Sequence, residues 1–328
     1  MHTASLSVPL YAVMGIEWTL VAGGLCVGTV VGLTGMGGGA LMTPMLVFLF
    51  KIDTLTAISS DIVVSLFMKP AGAAVHLKRR TVNLKLVLWL CIGSVPAAFC
   101  GVFLIRALPF QDQLDGVLKR FLGVALLLAA VGLVVRAVLQ MLRRRSALGE
   151  GPAAVTHAPE VVVKRVPTVI LGALAGLLVG MTSVGAGSVI IVILLLMHPA
   201  LRASELVGTD LVQAVPLVGA AAVSHLLYGD FSLALAVSLL IGAIPGAFVG
   251  AQISSRAPGG IIRRALALVL LATGLKLLGL PTGWVFASAL AAFVFGNVLW
   301  VVVRRRLMQV PEVELRDEAK PTPSELPR

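Results

Sequence analysis

The chain has 328 residues, of which 58% are hydrophobic and 12% charged, with a mean hydropathy of +1.02. A soluble domain carries about twice that share of charge, so the composition argues against a soluble globular protein and places most of the chain inside a bilayer. The formal charge of +11 does not mark a nucleic-acid binder, because the basic residues form short clusters between apolar runs with little aromatic company.

In chain order, the first apolar run covers about residues 15 to 34 and ends in a glycine cluster, Val31-Gly32-Leu33-Thr34-Gly35-Met36-Gly37-Gly38-Gly39. Runs over roughly 40 to 50, 55 to 76, 84 to 105 and 114 to 140 follow. A polar stretch from Arg143 to Arg165, with Pro152, His157 and Pro159, then separates the halves. The second half opens with a run over 167 to 182 and repeats the interruption as Val179-Gly180-Met181-Thr182-Ser183-Val184-Gly185-Ala186-Gly187. It continues with runs over 188 to 197, 204 to 228, 232 to 254 and 261 to 279, and an extra run over 282 to 303 precedes a charged, proline-bearing tail read as disordered.

Runs of roughly 18 residues or more can cross a ~30 Å hydrocarbon core as helices. The run of about ten residues after each glycine cluster is too short for an ordinary span. Each is read either as the half-helix of a re-entrant hairpin or as a short tilted crossing. Glycine costs a helix interior roughly 1 kcal/mol relative to alanine, so the clusters mark broken or tightly packed backbone. Matched breaks in two halves of a membrane protein point to a binding site.

The glycine clusters lie 148 residues apart, and once one residue is inserted in the second copy near His198 the halves align at an offset of 149, which places Asp61 on Asp210, His76 on His225, Pro96 on Pro245 and Gly101 on Gly250. This is the mark of an internal duplication. Lys78, Arg79, Arg80 and Lys85 crowd the loop after His76, whereas the loop after His225 has no basic residue. By the positive-inside rule the two loops lie on opposite sides, the repeats are inverted, the N-terminus is outside and the C-terminus is cytoplasmic. The expected organisation is a first membrane repeat over 1–142, a basic cytoplasmic linker over 143–166, a second repeat over 167–280, an extra transmembrane helix over 281–303 and a cytoplasmic tail over 304–328. The fold class is therefore an all-α polytopic membrane protein. No Lys or Arg precedes Lys51, so the first run lacks the basic flank of a cleaved signal peptide. Cys26, Cys91 and Cys100 lie in apolar segments without ligand spacing and read as packing residues.

These residues resemble the sulfite exporter TauE/SafE family. The resemblance rests on Gly32-Leu33-Thr34-Gly35-Met36-Gly37-Gly38-Gly39 with Pro44 after it, on Val207-Gly208-Thr209-Asp210, on His225 and on Gly242-Ala243-Ile244-Pro245-Gly246-Ala247-Phe248-Val249-Gly250. It spans about residues 20 to 280. It implies a multi-pass transporter in the bacterial inner membrane, carrying small and often sulfur-containing anions such as sulfite or organosulfonates. Ala186 and Ser188 interrupt the glycine pattern in the second copy, so the two half-sites are expected to differ.

An anion inside a membrane needs donors. Short helices that begin near Gly39 and Gly187 would offer free backbone N–H groups and positive dipole ends. The substrate-binding set is therefore Thr34, Gly35, Gly37, Gly38, Gly39, Thr182, Ser183, Gly185, Gly187 and Ser188, with Thr43 as a further hydroxyl donor. Close helix packing explains the same small residues, and the two readings coexist. Lys69 sits mid-span, where it either attracts substrate or pairs with Asp61. Asp61 and Asp210 either carry a coupling proton or hydrogen-bond nearby hydroxyls and backbone. His76 and His225 act in gating or proton transfer, or simply hydrogen-bond near helix ends. Pro44, Pro96, Pro216 and Pro245 kink or hinge their segments, and Glu17 stays at the interface.

The expected function is a secondary transporter working by alternating access at a mid-membrane anion site, with a small anion, the bilayer and a coupling proton as partners. A passive anion channel is the alternative within transport. No nucleotide motif, zinc-protease motif, nucleophile elbow or metal cluster is apparent, so no cofactor is expected, and an embedded enzyme or a non-transporting scaffold ranks below.

Overall fold

Each apolar run becomes a helix. The computed structural model describes residues 16–34, 38–107, 113–149, 163–185, 187–198, 201, 203–254 and 259–308. Among these residues it forms eleven α-helices: α1 (Trp18–Thr34), α2 (Gly39–Phe48), α3 (Thr54–Lys78), α4 (Leu84–Arg106), α5 (Leu114–Gly149), α6 (Arg165–Thr182), α7 (Gly187–Met197), α8 (Ala203–Tyr228), α9 (Leu233–Ser254), α10 (Gly259–Leu277) and α11 (Thr282–Met308). The protein is an all-α polytopic membrane protein, and α3, α4, α5, α6, α8 and α9 contain spans long and apolar enough to cross a bilayer.

The helices follow the apolar runs closely except at two ends. α5 continues past 140 to Gly149, and α11 past 303 to Met308. Both extensions are rich in arginine and leucine, which favour helix, so charge alone does not end them. The rest of the linker (150–162, with Pro152, His157 and Pro159) and the tail over 309–328 lie outside the described residues. The start of α3 is capped by Asp53, which accepts from the N–H groups of Leu55 (3.0 Å) and Thr56 (3.3 Å). Asn83 caps α4 in the same way through the N–H of Leu86 at 3.1 Å.

The two short helices turn back. Met45 and Phe50 lie against Gly23, near the start of α1, and Phe50 and Ile52 share a cavity with Glu17 and Leu20. α2 has therefore returned to the level at which α1 began. In the second half the N–H of Lys164, just before α6, donates to His198 Nε2 just after α7 at 3.4 Å. Both short runs are thus arms of re-entrant hairpins rather than crossings. An α2 of 10 residues is about 15 Å long, half the hydrocarbon thickness.

Glycine stripes join the halves. Gly242, Gly246 and Gly250 of α9 lie against Val21, Leu25 and Thr29 of α1 in that order, so these two helices run parallel with their backbones in contact. The counterpart pair is built the same way: Gly172, Gly176 and Gly180 of α6 lie against Leu90, Ser94 and Ala98 of α4. Each first-half helix in these pairs is thus matched to a second-half one. α3 and α8 run antiparallel, since Ser59, Leu66 and Gly72 meet His225, Gly219 and Leu211. Because each hairpin begins at the level of the helix that follows it, the hairpins enter the bundle from opposite faces.

The outward faces stay apolar. Leu84, Leu88 and Ile92 form one exposed row on α4, and Trp284, Phe286, Leu290 and Phe293 are exposed on α11. In a bilayer such faces meet lipid. Cys26 and Cys100 are also exposed and Cys91 is partly buried, so the thiols sit at the rim of the packing rather than in its centre.

The stripes make a direct prediction. A methyl group at Gly28 would collide with the Ala243 backbone and one at Gly176 with the Ser94 backbone, whereas at Gly116 it meets nothing within 4 Å. Gly28→Ala and Gly176→Ala are each expected to destabilise the protein by about 1 to 3 kcal/mol, the usual cost of overpacking. Their thermal midpoints in detergent should fall, while that of Gly116→Ala should hold or rise.

Candidate functional site

The chain leaves helix α6 through an unusual residue. Ser183 is left-handed (φ 59°), and its N–H still reaches the Val179 carbonyl at 2.8 Å, closing the helix. Left-handed backbone disfavours a residue with a Cβ, so the surroundings must hold Ser183 there. They do so by contact: Gly39, the first residue of α2, lies directly against the Ser183 carbonyl. The two breaks, far apart in sequence, thus touch. Thr182 turns inward on itself, its hydroxyl donating to the Leu178 carbonyl (2.6 Å) and accepting from the Val184 N–H (3.2 Å). Gly185 borders open space, with no atom within 4 Å of where a Cβ would stand.

Asp61 lies against this contact, fully buried, about 10 Å along α3 from its start. Its Oδ2 accepts from the hydroxyls of Thr43 on α2 (2.6 Å) and Ser183 (2.9 Å), so one carboxylate oxygen ties α2, α3 and the second break together. Its Oδ1 has no hydrogen-bond partner among the described residues. That oxygen faces Gly38, alongside Ser65 Oγ and Met68 Sδ, all 3.7 to 3.9 Å from where a Gly38 Cβ would stand.

The second half mirrors this only in part. Asp210 Oδ2 lies against Gly187 at the start of α7, and its Oδ1 accepts weakly from Gln213 Nε2 at 3.5 Å, with Gln213 Oε1 in turn accepting from Ser94 at 3.3 Å. Each carboxylate therefore sits at the N-terminal end of a half-helix, where the helix dipole favours negative charge. Lys69, half-buried two turns beyond Asp61, interacts electrostatically with both carboxylates. Arg136 of α5 also lies in the field of Asp210.

The histidines play unequal parts. His225 is fully buried, with Nε2 2.7 Å from the Gly180 carbonyl and Nδ1 2.8 Å from Ser59 Oγ. A carbonyl only accepts, so Nε2 carries the proton and Nδ1 receives one from Ser59. The imidazole joins α3, α6 and α8 just before the second break. His76 has no such grip: its Nδ1 meets Thr81 Oγ1 at 2.9 Å, five residues on, because Gly208 stands where Ser59 stands in the other half.

The structure thus joins Gly38, Gly39, Ser183 and Asp61 in one contact and Gly187 and Asp210 in another, with Lys69 interacting electrostatically with both carboxylates; His225 is tied to Gly180 just before the second break, and His76 only to Thr81. Gly35 and Gly37, and the side chains of Thr34 and Ser188, lie outside the described residues. Arg136, Gln213, Ser60 and Ser65 were not singled out from sequence. Arg136 carried a usable signal, since a lone cation within an otherwise apolar run is costly at membrane depth. The serines and Gln213 carried none, because neutral polar residues are common in such helices.

The chain belongs to the sulfite exporter TauE/SafE family, whose model matches residues 20–277. It is similar to three Bacillus subtilis (strain 168) proteins, all named as probable membrane transporter proteins. One, YjnA, is 34% identical over 261 residues, covering 79% of this chain and 99% of its own. YdhB is 26% identical over 76% of this chain and 96% of its own length, and YunE 25% identical over 79% and 96%. No solved structure matches the chain significantly.

Ser183 allows its two roles to be separated. Ser183→Ala removes the hydrogen bond to Asp61 while keeping a Cβ in left-handed backbone, and is expected to cost about 1 to 3 kcal/mol. Ser183→Gly loses the same bond but relieves the backbone, so it should recover roughly 1 kcal/mol of that loss. Denaturation of the two variants in detergent measures the difference; equal stabilities would remove the backbone term.

Proposed function

We propose that this family member is a proton-coupled secondary transporter of small anions, particularly sulfur oxyanions such as sulfite or organosulfonates, working by alternating access at the contact between its two helix breaks. The observation that carries the reading is the Gly39–Ser183 contact with Lys69 held in the field of two buried carboxylates. Lys69 supplies the attraction, and the start of each half-helix adds positive dipole. Asp61 and Asp210 are the resident anions with which a substrate exchanges.

Charge balance accounts for the coupling. Asp61 and Asp210 offset Lys69 and Arg136, so the centre is neutral before substrate arrives. A charge left uncompensated in this setting costs some 2.5 to 3.5 kcal/mol even on insertion scales. A monoanion entering with a proton on one carboxylate restores neutrality. Rocking of one half against the other then exposes the centre to each side in turn. The basic loops support a bacterial inner-membrane protein with the N-terminus outside and the C-terminus in the cytoplasm.

Purified protein in liposomes, offered sulfite, sulfate, thiosulfate, sulfonates and carboxylates, should show saturable uptake of a subset, driven by an inward proton gradient. Non-saturating flux indifferent to the gradient would instead indicate a channel. Lys69→Met should lower uptake at least about tenfold, the loss of some 1.4 kcal/mol of binding or more. Asp61→Asn is expected to keep anion exchange while losing the pull of the proton gradient; unchanged gradient-driven uptake would exclude Asp61 as the carrier.

A further inference from the structure

Helical hydroxyls in this protein have a habit, and on α3 it lapses, twice without any substitute partner. Thr29, Thr168, Thr182, Ser238, Thr273 and Ser288 each donate to the carbonyl one turn earlier in their own helix, at 2.6 to 2.7 Å. This is the default for Ser and Thr in apolar helices. On α3, Thr54 and Ser59 instead bond side chains of neighbouring helices, Asp115 and His225. Ser60 and Ser65, 0% and 2% exposed, have no hydrogen-bond partner among the described residues. Burying a polar group without a partner costs about 1 to 3 kcal/mol, and such groups in a native structure call for an explanation.

Their placement supplies one. Ser65 lies in line with Asp61 and Lys69 on one row of α3, spaced four residues apart. Ser60 lies one turn beyond Thr56 on a second row about 100° round the helix, so a path from one row to the other winds around α3 past Ala57 and Val64. Thr56 lines a cavity of about 270 Å³ together with Glu17, Leu20, Phe50, Ile52 and Leu235. At about 30 Å³ per water, that cavity holds a small oxyanion with several waters. Gly38 has ordinary helical backbone (φ −67°), so neither strain nor crowding demands glycine there. Its missing side chain leaves clearance beside Ser65 Oγ and Asp61 Oδ1.

We infer that α3 lines the anion's route between one membrane face and the centre, with Thr56 at the cavity, Ser60 and Ser65 as successive hydroxyl donors, and Lys69 at its end. This rests on the transport function proposed above and adds the wall along which transport proceeds. Each hydroxyl can donate to a passing oxyanion because no protein acceptor holds it. From Thr56 to Lys69 the route spans about 20 Å along the helix.

Single cysteines at positions 56, 60 and 65, in a background where Cys26, Cys91 and Cys100 are serine, test the route with a sulfonate-bearing, membrane-impermeant methanethiosulfonate. The control is Ser224→Cys: Ser224 lies at the depth of Ser60 on antiparallel α8, is buried, and bonds the Ala221 carbonyl at 3.1 Å. Thr56→Cys, Ser60→Cys and Ser65→Cys should be labelled in sealed vesicles at least about tenfold faster than the control, an opening cost lower by 1.4 kcal/mol or more. Labelling of Ser60→Cys and Ser65→Cys no faster than the control, from either face, overturns the route. Uptake by the same vesicles is read separately. Flux with silent cysteines removes the route alone, whereas labelled cysteines without flux of any anion leave a water-filled path and remove the transporter.

Discussion

Unwound backbone cannot face lipid, and the architecture follows from that constraint. Each break exposes peptide groups that lack helical partners, and within a membrane these must be covered by protein or open onto a wet cavity. Here the start of the first half-helix lies on the second break. Gly39 meets the Ser183 carbonyl, while Thr43 and Ser183 converge on one oxygen of Asp61. The hairpins reach that meeting point from opposite faces, and the long helices around them form the barrier. The glycine stripes between α1 and α9, and between α4 and α6, bring the scaffold close enough to enclose it.

Much of this was legible in the residues. The apolar runs marked the helices, and the offset of 149 shared by Asp61–Asp210, His76–His225 and Pro96–Pro245 marked an internal repeat, because helix length and repetition are written in local composition. The glycine clusters marked the breaks for the same reason. What local composition does not encode is partnership across the chain. Whether the ten residues after a break cross or return depends on what receives their far end, seen only when Phe50 comes to rest near Gly23 and His198 near Lys164. Lys69 was legible as a costly charge, but that Asp210 of the other half acts on it as well as Asp61 depends on how α3 and α8 pass one another. The start of the linker is helical for a local reason: arginine is a good helix former, and α5 runs through Arg143, Arg144 and Arg145 to Gly149.

The carboxylates also change how the half-helices are understood. From sequence, their N-terminal ends were free donors awaiting an anion. In the structure Asp61 and Asp210 already stand at those ends, so the helix dipoles are partly answered by the protein itself. Under the transport function proposed above, an anion meets ends already answered by carboxylates and has to displace or neutralise one of them to stay.

The unequal histidines set a mechanical bias. His225 spends both ring nitrogens, on the Gly180 carbonyl and on Ser59, and so fastens three helices at one end of the bundle. At the other end Gly208 offers no hydroxyl, and His76 reaches only Thr81 in its own loop. Separating the helices at the first end breaks two buried hydrogen bonds, whereas at the second it breaks none made by the equivalent imidazole. Equivalent positions of the two halves thus fasten the bundle unequally: one imidazole is a cross-link between three helices, and the other is a local brace of its own loop.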